Sequence, residues 1–299
     1  MTDRAKILAR PWLLYVLWVA FCGLLFHKPL ARLVLYSFEN DNASHILLIP
    51  LLVGWLLYLD RTKVSQNCVL DLRAALLFAV PAVILALVSQ RPWPLRAPTG
   101  LLVPVLSLIL FLIAGFIAIF GRRSSQESWF SLAFLGFAIP WPESLLDGFI
   151  YSLQYASAAV AGWIFDGSGV PVLREGFVFH LPGLSIEVAK ECSGIRSSMA
   201  LLILAVLVAH FAFRRFWKKV VFVLAGLLMM AVKNGVRIAT LTILAKYVDP
   251  GFLFGRLHHQ GGVVFFLLGL ALLLPVYWWL RRGEKEAPTP ATATTITPA

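Results

Sequence analysis

The stretch Glu191-Cys192-Ser193-Gly194-Ile195-Arg196-Ser197-Ser198 holds the one cysteine placed for chemistry, with an arginine four residues after it. Residues four apart share a helix face, so Cys192 and Arg196 look the same way if a helix has begun by Cys192. A cysteine at a helix N-terminus near cations is acidified, and its thiolate is the nucleophile. A histidine can take the thiol proton and later return it to a leaving amine. An arginine can stabilise the oxyanion of a tetrahedral intermediate or hold an anionic part of a substrate. Partners of these types occur downstream, in Lys233-Asn234-Gly235-Val236-Arg237 and in the pair His258-His259.

Each of these residues also has a plain structural reading. A free cysteine is often a small buried hydrophobe. Arg196 can snorkel to an interface or join an ion pair. A histidine pair before an apolar run can be an interfacial anchor. His180 can make a cross-strand contact with Glu187, and His45 can simply end a loop. Lys233 and Arg237 resist such a reading, because intramembrane charge is costly and commonly functional.

Composition says what must position these groups. Hydrophobic residues make up 60% of the chain and charged residues 14%, against roughly a quarter charged in a soluble domain. Mean hydropathy is +0.82. This predicts an all-α polytopic membrane protein. The net charge of +11 does not point to nucleic acid, because the basic residues fall in short clusters between apolar runs, as membrane orientation requires. Three cysteines make no disulfide framework; Cys22 lies inside the first apolar run and Cys68 in a polar loop. The first run ends at Phe26-His27-Lys28 without a small-residue cleavage pattern, so no cleavable signal peptide is expected.

In chain order, spans are expected at Trp12–Phe26, Ile46–Tyr58, Ala74–Ser89, Leu101–Phe120, Ile195–Phe213, Val220–Ala245 (interrupted at Lys233–Arg237) and Gly262–Leu280, with loops at 27–45 and 60–73. Of the stretches 129–139 and 145–165, one is expected to cross, giving about eight transmembrane helices. Phe177–Leu181 and Leu184–Val188 alternate in polarity about Pro182-Gly183, which predicts a small β-hairpin. Its polar content places it outside lipid, on the exported side, because an open sheet edge is not tolerated in the bilayer. Residues 1–282 read as one membrane domain and 283–299 as a disordered cytoplasmic tail, rich in Thr, Pro and Ala.

Lysine and arginine in alternate segments number 15 against 8, with Arg196, Lys233 and Arg237 left in or beside spans. The bias puts both termini in the cytoplasm. Cys192 then stands at the exported end of its helix. Arg237 lies eighteen residues past Lys219, about 27 Å along a helix, which is near the far boundary of a hydrocarbon core of about 30 Å. His258 and His259 fall in the last exported loop, so Cys, Arg and His converge on one face.

The residues Glu191–Ser197, Asn234-Gly235-Val236-Arg237-Ile238, and His258 followed by Gly262 and Phe266, in this order, resemble the exosortase/archaeosortase family. Ser44-His45 with Pro50 is similar to that family's N-terminal His-containing segment. The resemblance covers the half of the chain from Pro140 to Leu280. It implies a polytopic inner-membrane cysteine enzyme of Gram-negative bacteria, a protease/transpeptidase acting on exported proteins with a C-terminal sorting signal. That signal comprises a Pro-Glu-Pro-type motif, a hydrophobic helix and a basic tail. The family's catalytic Cys, Arg and His correspond to Cys192, Arg237 and His258; the histidine in place of an archaeal arginine points to the bacterial branch. His258 satisfies the family spacing, four residues before Gly262 and eight before Phe266, whereas His259 is one out of register.

The reaction expected is attack by Cys192 on a substrate carbonyl, giving a thioacyl-enzyme that an external acceptor, such as an extracellular polysaccharide or a lipid-linked acceptor, resolves. Arg196, Asn234, His259, Lys233, His45 and His180 are supporting candidates, with Asn234 orienting Arg237 or capping backbone near Gly235. No metal and no cofactor is called for, and the partners are the substrate and membrane lipids. The competing classes are a transporter or flippase that holds an anionic lipid-linked glycan on Lys233 and Arg237, and a non-catalytic scaffold.

Overall fold

The computed structural model describes residues 3–66, 68–90, 100–188, 195–253 and 262–282. The expected tail at 283–299 lies outside these residues. The described chain is mostly helical and falls into two compact units, Met1–Gly148 and Phe149–Ala299.

The first unit contains α1 (Asp3–Leu25), α2 (His27–Glu39), α3 (Ile49–Gln66), α4 (Leu72–Ser89), α5 (Leu102–Glu127) and the short α6 (Trp129–Phe134). Its spans run longer than the apolar stretches alone suggested. The loop expected at 27–45 is instead α2, turned 81° from α1, followed by a 3-10 turn, Asp41–Leu48. The loop expected from Asp60 is still α3, where Lys63 pairs with Asp60 at 3.7 Å and Arg61 lies 3.8 Å over the Tyr58 ring. Polar residues that pair with their own helix neighbours carry the helix past its apolar part. α4 is opened by Asp71, whose carboxylate accepts from Ala74 N–H at 2.9 Å, satisfying a donor that the helix cannot. α4 and α5 are joined where Ser107 Oγ donates to Ala82 O at 2.7 Å.

α6 and the following 3-10 turn, Leu135–Ala138, together make only ten residues. That is about 15 Å of helix, half of what a crossing needs. The other candidate for that crossing, 145–165, lies within α7 (Glu143–Ser168), which has 26 residues.

The second unit comprises most of α7, a three-stranded sheet, α8 (Ile195–Ala212), α9 (Phe216–Tyr247) and α10 (Gly262–Arg281). The hairpin is present as β2 (Val178–Leu181) and β3 (Leu184–Glu187), with Leu181 opposite Leu184. Pro182-Gly183 forms the turn, with Gly183 at φ +80°, the left-handed position that glycine fills without steric cost. A third strand, β1 (Leu173–Glu175), pairs antiparallel with β2. The charge-rich Leu173-Arg174-Glu175 carries no alternation long enough to announce it. Phe179, Leu181 and Val188 pack with Phe165 of α7 and Ile238 and Ala239 of α9, and Lys246 Nζ donates to Pro182 O at 2.9 Å. The sheet therefore sits on the C-terminal half of α9.

α9 is one helix of 32 residues, not two pieces interrupted at Lys233–Arg237. A single glycine costs about 1 kcal/mol in a helix interior, less than the several kcal/mol each broken backbone pair costs in lipid. At its other end Lys218 Nζ donates to Leu280 O at 2.6 Å, so the start of α9 caps the last turn of α10.

Among the described residues six helices are long and apolar enough to cross a membrane, or seven if α1 and α2 form one bent span. The candidate that remains for the expected eighth, α7, is long enough, but Tyr151, Ser152, Gln154, Tyr155 and Ser157 dilute its apolar character.

Candidate active site

α8 and α9 run side by side, and their polar residues meet at one level. Lys233 is 1% exposed, and its ammonium donates to Ser197 Oγ at 2.6 Å. This ties the middle of α9 to the first turn of α8. Gly269 on α10 makes room for the lysine stem: a Cβ there would lie 3.3 Å from Lys233 Cδ and 3.2 Å from Leu201 Cδ2. Desolvating a lone ammonium is expensive, so a hydrogen-bonded partner at this depth is what permits the lysine. Arg237 stands one turn farther along α9, half-buried, and its positive charge acts on Lys233. Arg196 is exposed at the start of α8, beside Ser197.

Asn234 is also 1% exposed, yet neither its amide nitrogen nor its amide oxygen has a hydrogen-bond partner. It therefore neither orients Arg237 nor caps backbone by direct contact. Gly235 lies against α7: a Cβ at this position would meet Val160 Cβ at 2.6 Å and Ser157 O at 2.8 Å. α7 also holds the chain that leads to the cysteine segment. Gln154 Nε2 donates to Val188 O at 2.9 Å, while Val188 N–H donates to Phe177 O at 2.9 Å. Residues 189–194 are thus flanked by two fixed points, Val188 on the sheet side and Ile195 at the start of α8.

The remaining candidates are placed as follows. His180 has Nδ1 3.0 Å from Ser185 Oγ and Nε2 3.6 Å from Glu175 Oε2. Its carboxylate neighbour is on β1, the strand the sequence did not reveal; Glu187 pairs with Val178. His45 belongs to the first unit, where its ring meets the backbone of Asn42 and Phe137. Cys192, His258 and His259 lie outside the described residues. Ser157, Ser197 and Ser198 are the additions that the structure makes. Their one advance signal is polarity on otherwise apolar helices, with Gln154 and Ser157 three apart on one face of α7.

Lys233 meets Ser197 in the first turn of α8, the helix that follows the cysteine segment, with Arg196 next to Ser197 in sequence and Asn234 and Arg237 next to Lys233 and one turn beyond it on α9. This arrangement is suited to receiving developing negative charge at that point. No curated protein and no solved structure matches this chain. The family model of transmembrane exosortase (Exosortase_EpsH) matches residues 37–275, a stretch that includes both flanks of the cysteine segment, the Lys233–Ser197 link and Arg237. The chain belongs to the transmembrane exosortase family.

Proposed function

We propose that the protein is a membrane-embedded cysteine protease/transpeptidase that cleaves C-terminal sorting signals of exported proteins. The observation that carries this reading is the Lys233–Ser197 hydrogen bond, which fixes the turn before Arg237 to the start of the nucleophile's helix. Cys192 is three residues before Ile195, so covalent geometry keeps it within about 11 Å of the first residue of α8. The Cys192 thiolate attacks the scissile carbonyl carbon, and the oxyanion that forms is stabilised by Arg237. His258, having taken the thiol proton, gives it to the leaving amine as the C–N bond breaks. The resulting thioacyl-enzyme is attacked by an acceptor nucleophile, and the thiolate leaves. Arg196 and Lys233 hold the site's positive field.

Co-expression with a substrate carrying a Pro-Glu-Pro-type signal tests the reading. Cys192→Ala, Cys192→Ser and His258→Ala should abolish processing, and His259→Ala should retain it. Processing that survives both Cys192 changes overturns the enzyme. Loss in His259→Ala alone would transfer the histidine's role to that residue. A flippase would tolerate the Cys192 changes and fail on Lys233→Ala.

The active site is assigned to the exported face, with both termini cytoplasmic. α7 is taken as a crossing, with α1 and α2 counted as one, which brings the total to eight. Impermeant maleimide on intact spheroplasts checks this at two exposed positions. In a Cys192→Ser background Gly167→Cys should label and Arg123→Cys should not; the opposite pattern would invert the topology. The native Cys68 is a poor reporter. Its thiol donates to Ile119 O at 3.1 Å and burial pushes its pKa up, so silence there follows from protection on either side.

A further inference from the structure

The interior between α7, α8 and α9 is layered, and one layer is polar. Leu153 of α7, Leu201 of α8, and Met230 and Ala231 of α9 belong to one apolar cluster. Ala158 and Ala161 of α7 pack with Ile238 and Ala239 of α9 in another. Beside these clusters come Ser157, four residues from both Leu153 and Ala161; Ser198, three residues before Leu201; and Asn234, four residues from both Met230 and Ile238. All three are buried, at 0%, 0% and 1% exposure.

The flanking contacts put these residues at one level. Lys233 reaches α8 at Ser197, while Gly235 abuts α7 at Ser157. Asn234 lies between Lys233 and Gly235 on α9, about 100° round the helix from each. Four side-chain atoms there have no hydrogen-bond partner: Ser157 Oγ, Ser198 Oγ, Asn234 Nδ2 and Asn234 Oδ1. Buried polar atoms are otherwise almost always satisfied, and orphans grouped in one layer need a common explanation.

We propose that Ser157, Ser198 and Asn234 form a binding site for internal water, which bridges the three helices beneath the turn that carries Arg237. The chemistry of the set selects this ligand. Asn234 Oδ1 requires a donor and Nδ2 requires an acceptor, and only a group that is both satisfies them together with two hydroxyls. A cation is disfavoured by Lys233 and Arg237, which lie on the same stretch of α9. An anion would leave Oδ1 facing negative charge. Water makes two to four such bonds in polar interior sites and is costly to remove. The site holds α7 against α9 at the level where Gly235 brings them closest, so it acts on Arg237 through position and not through contact.

Thermal unfolding of the full-length protein in detergent tests the proposal without reference to enzymatic activity. If water links the hydroxyls, Ser157→Ala and Ser198→Ala each strand the water's other partners. Each should lower the apparent Tm by about 2–4 °C, and the double variant should fall by clearly less than the two combined, because the second change removes a link already broken. If the layer is dry, each change removes an orphaned group and leaves Tm unchanged or raised. That result overturns the proposal, as does strict additivity of two losses, which would mean that the hydroxyls act separately. Asn234→Leu extends the test: it should cost more than either serine change, since it removes two of the water's partners at once, and an equal or smaller loss counts against the site.

Discussion

Arg237→Lys is expected to lose substrate processing almost as completely as Arg237→Ala, by on the order of a hundredfold or more in rate, the cost of removing an oxyanion donor. Lysine keeps the charge but replaces a planar fork of five donors by a compact ammonium. Charge alone is already supplied at this site: Lys233 is one turn away on the same helix and its position is fixed by Ser197. What Arg237 adds is therefore direction. Its half-buried setting strengthens that argument, because a donor held partly away from water is worth more than one in bulk solvent. Processing rates compared at equal membrane levels decide the matter. A Lys variant near wild-type rate would mean that the residue acts as a point charge and that the oxyanion finds its donors elsewhere.

Gly235→Ala should lower stability, and Gly235→Val should do so severely. The added Cβ would sit 2.6 Å from Val160 Cβ and 2.8 Å from Ser157 O. Neither neighbour is the free end of a long side chain, so α7 and α9 must move apart. Overpacking of this kind costs about 1–3 kcal/mol, only partly offset by the roughly 1 kcal/mol that alanine gains over glycine in a helix. Valine adds two more carbons to the same overlap and should cost about 3 kcal/mol or more. Gly162→Ala on α7, where a Cβ would meet nothing within 4 Å, is the control and should be neutral or slightly stabilising. Apparent Tm values in detergent separate the cases. Equal behaviour of Gly235→Ala and Gly162→Ala would mean that the two helices do not approach this closely in the folded protein.

The sequence disclosed what local periodicity controls. Alternation about Pro182-Gly183 revealed β2 and β3, and long apolar runs revealed α4, α5, α8 and α10. It misjudged elements whose form depends on neighbours. α2 has mixed polarity and reads as a loop until the chain turns beside α1. α9 looked broken at Lys233–Arg237 because polar residues and a glycine suggest an interruption, whereas lipid forbids one. β1 is too short and charged to show a period. At the site, Lys233 and Arg237 were legible because charge within an apolar run is conspicuous. Ser197 as the partner of Lys233, and the layer made by Ser157, Ser198 and Asn234, were not: each depends on which helices meet and at what level. The eight-span count illustrates the same limit: α7 reaches the length of a crossing with 26 residues, but its serines and tyrosines leave it less apolar than the six helices long and apolar enough to cross.

The central claim is a thioacyl bond on Cys192, and its most direct measurement is the bond itself. Membranes co-expressing the protein and a sorting-signal substrate should contain a covalent adduct of the two that survives denaturation. It should be released by neutral hydroxylamine, which cleaves thioesters, and mass spectrometry should map it to Cys192. Its level should rise when acceptor supply is limited, and it should vanish in Cys192→Ala. An adduct that persists in that variant, or substrate processing with no hydroxylamine-sensitive species at any acceptor level, would contradict the account.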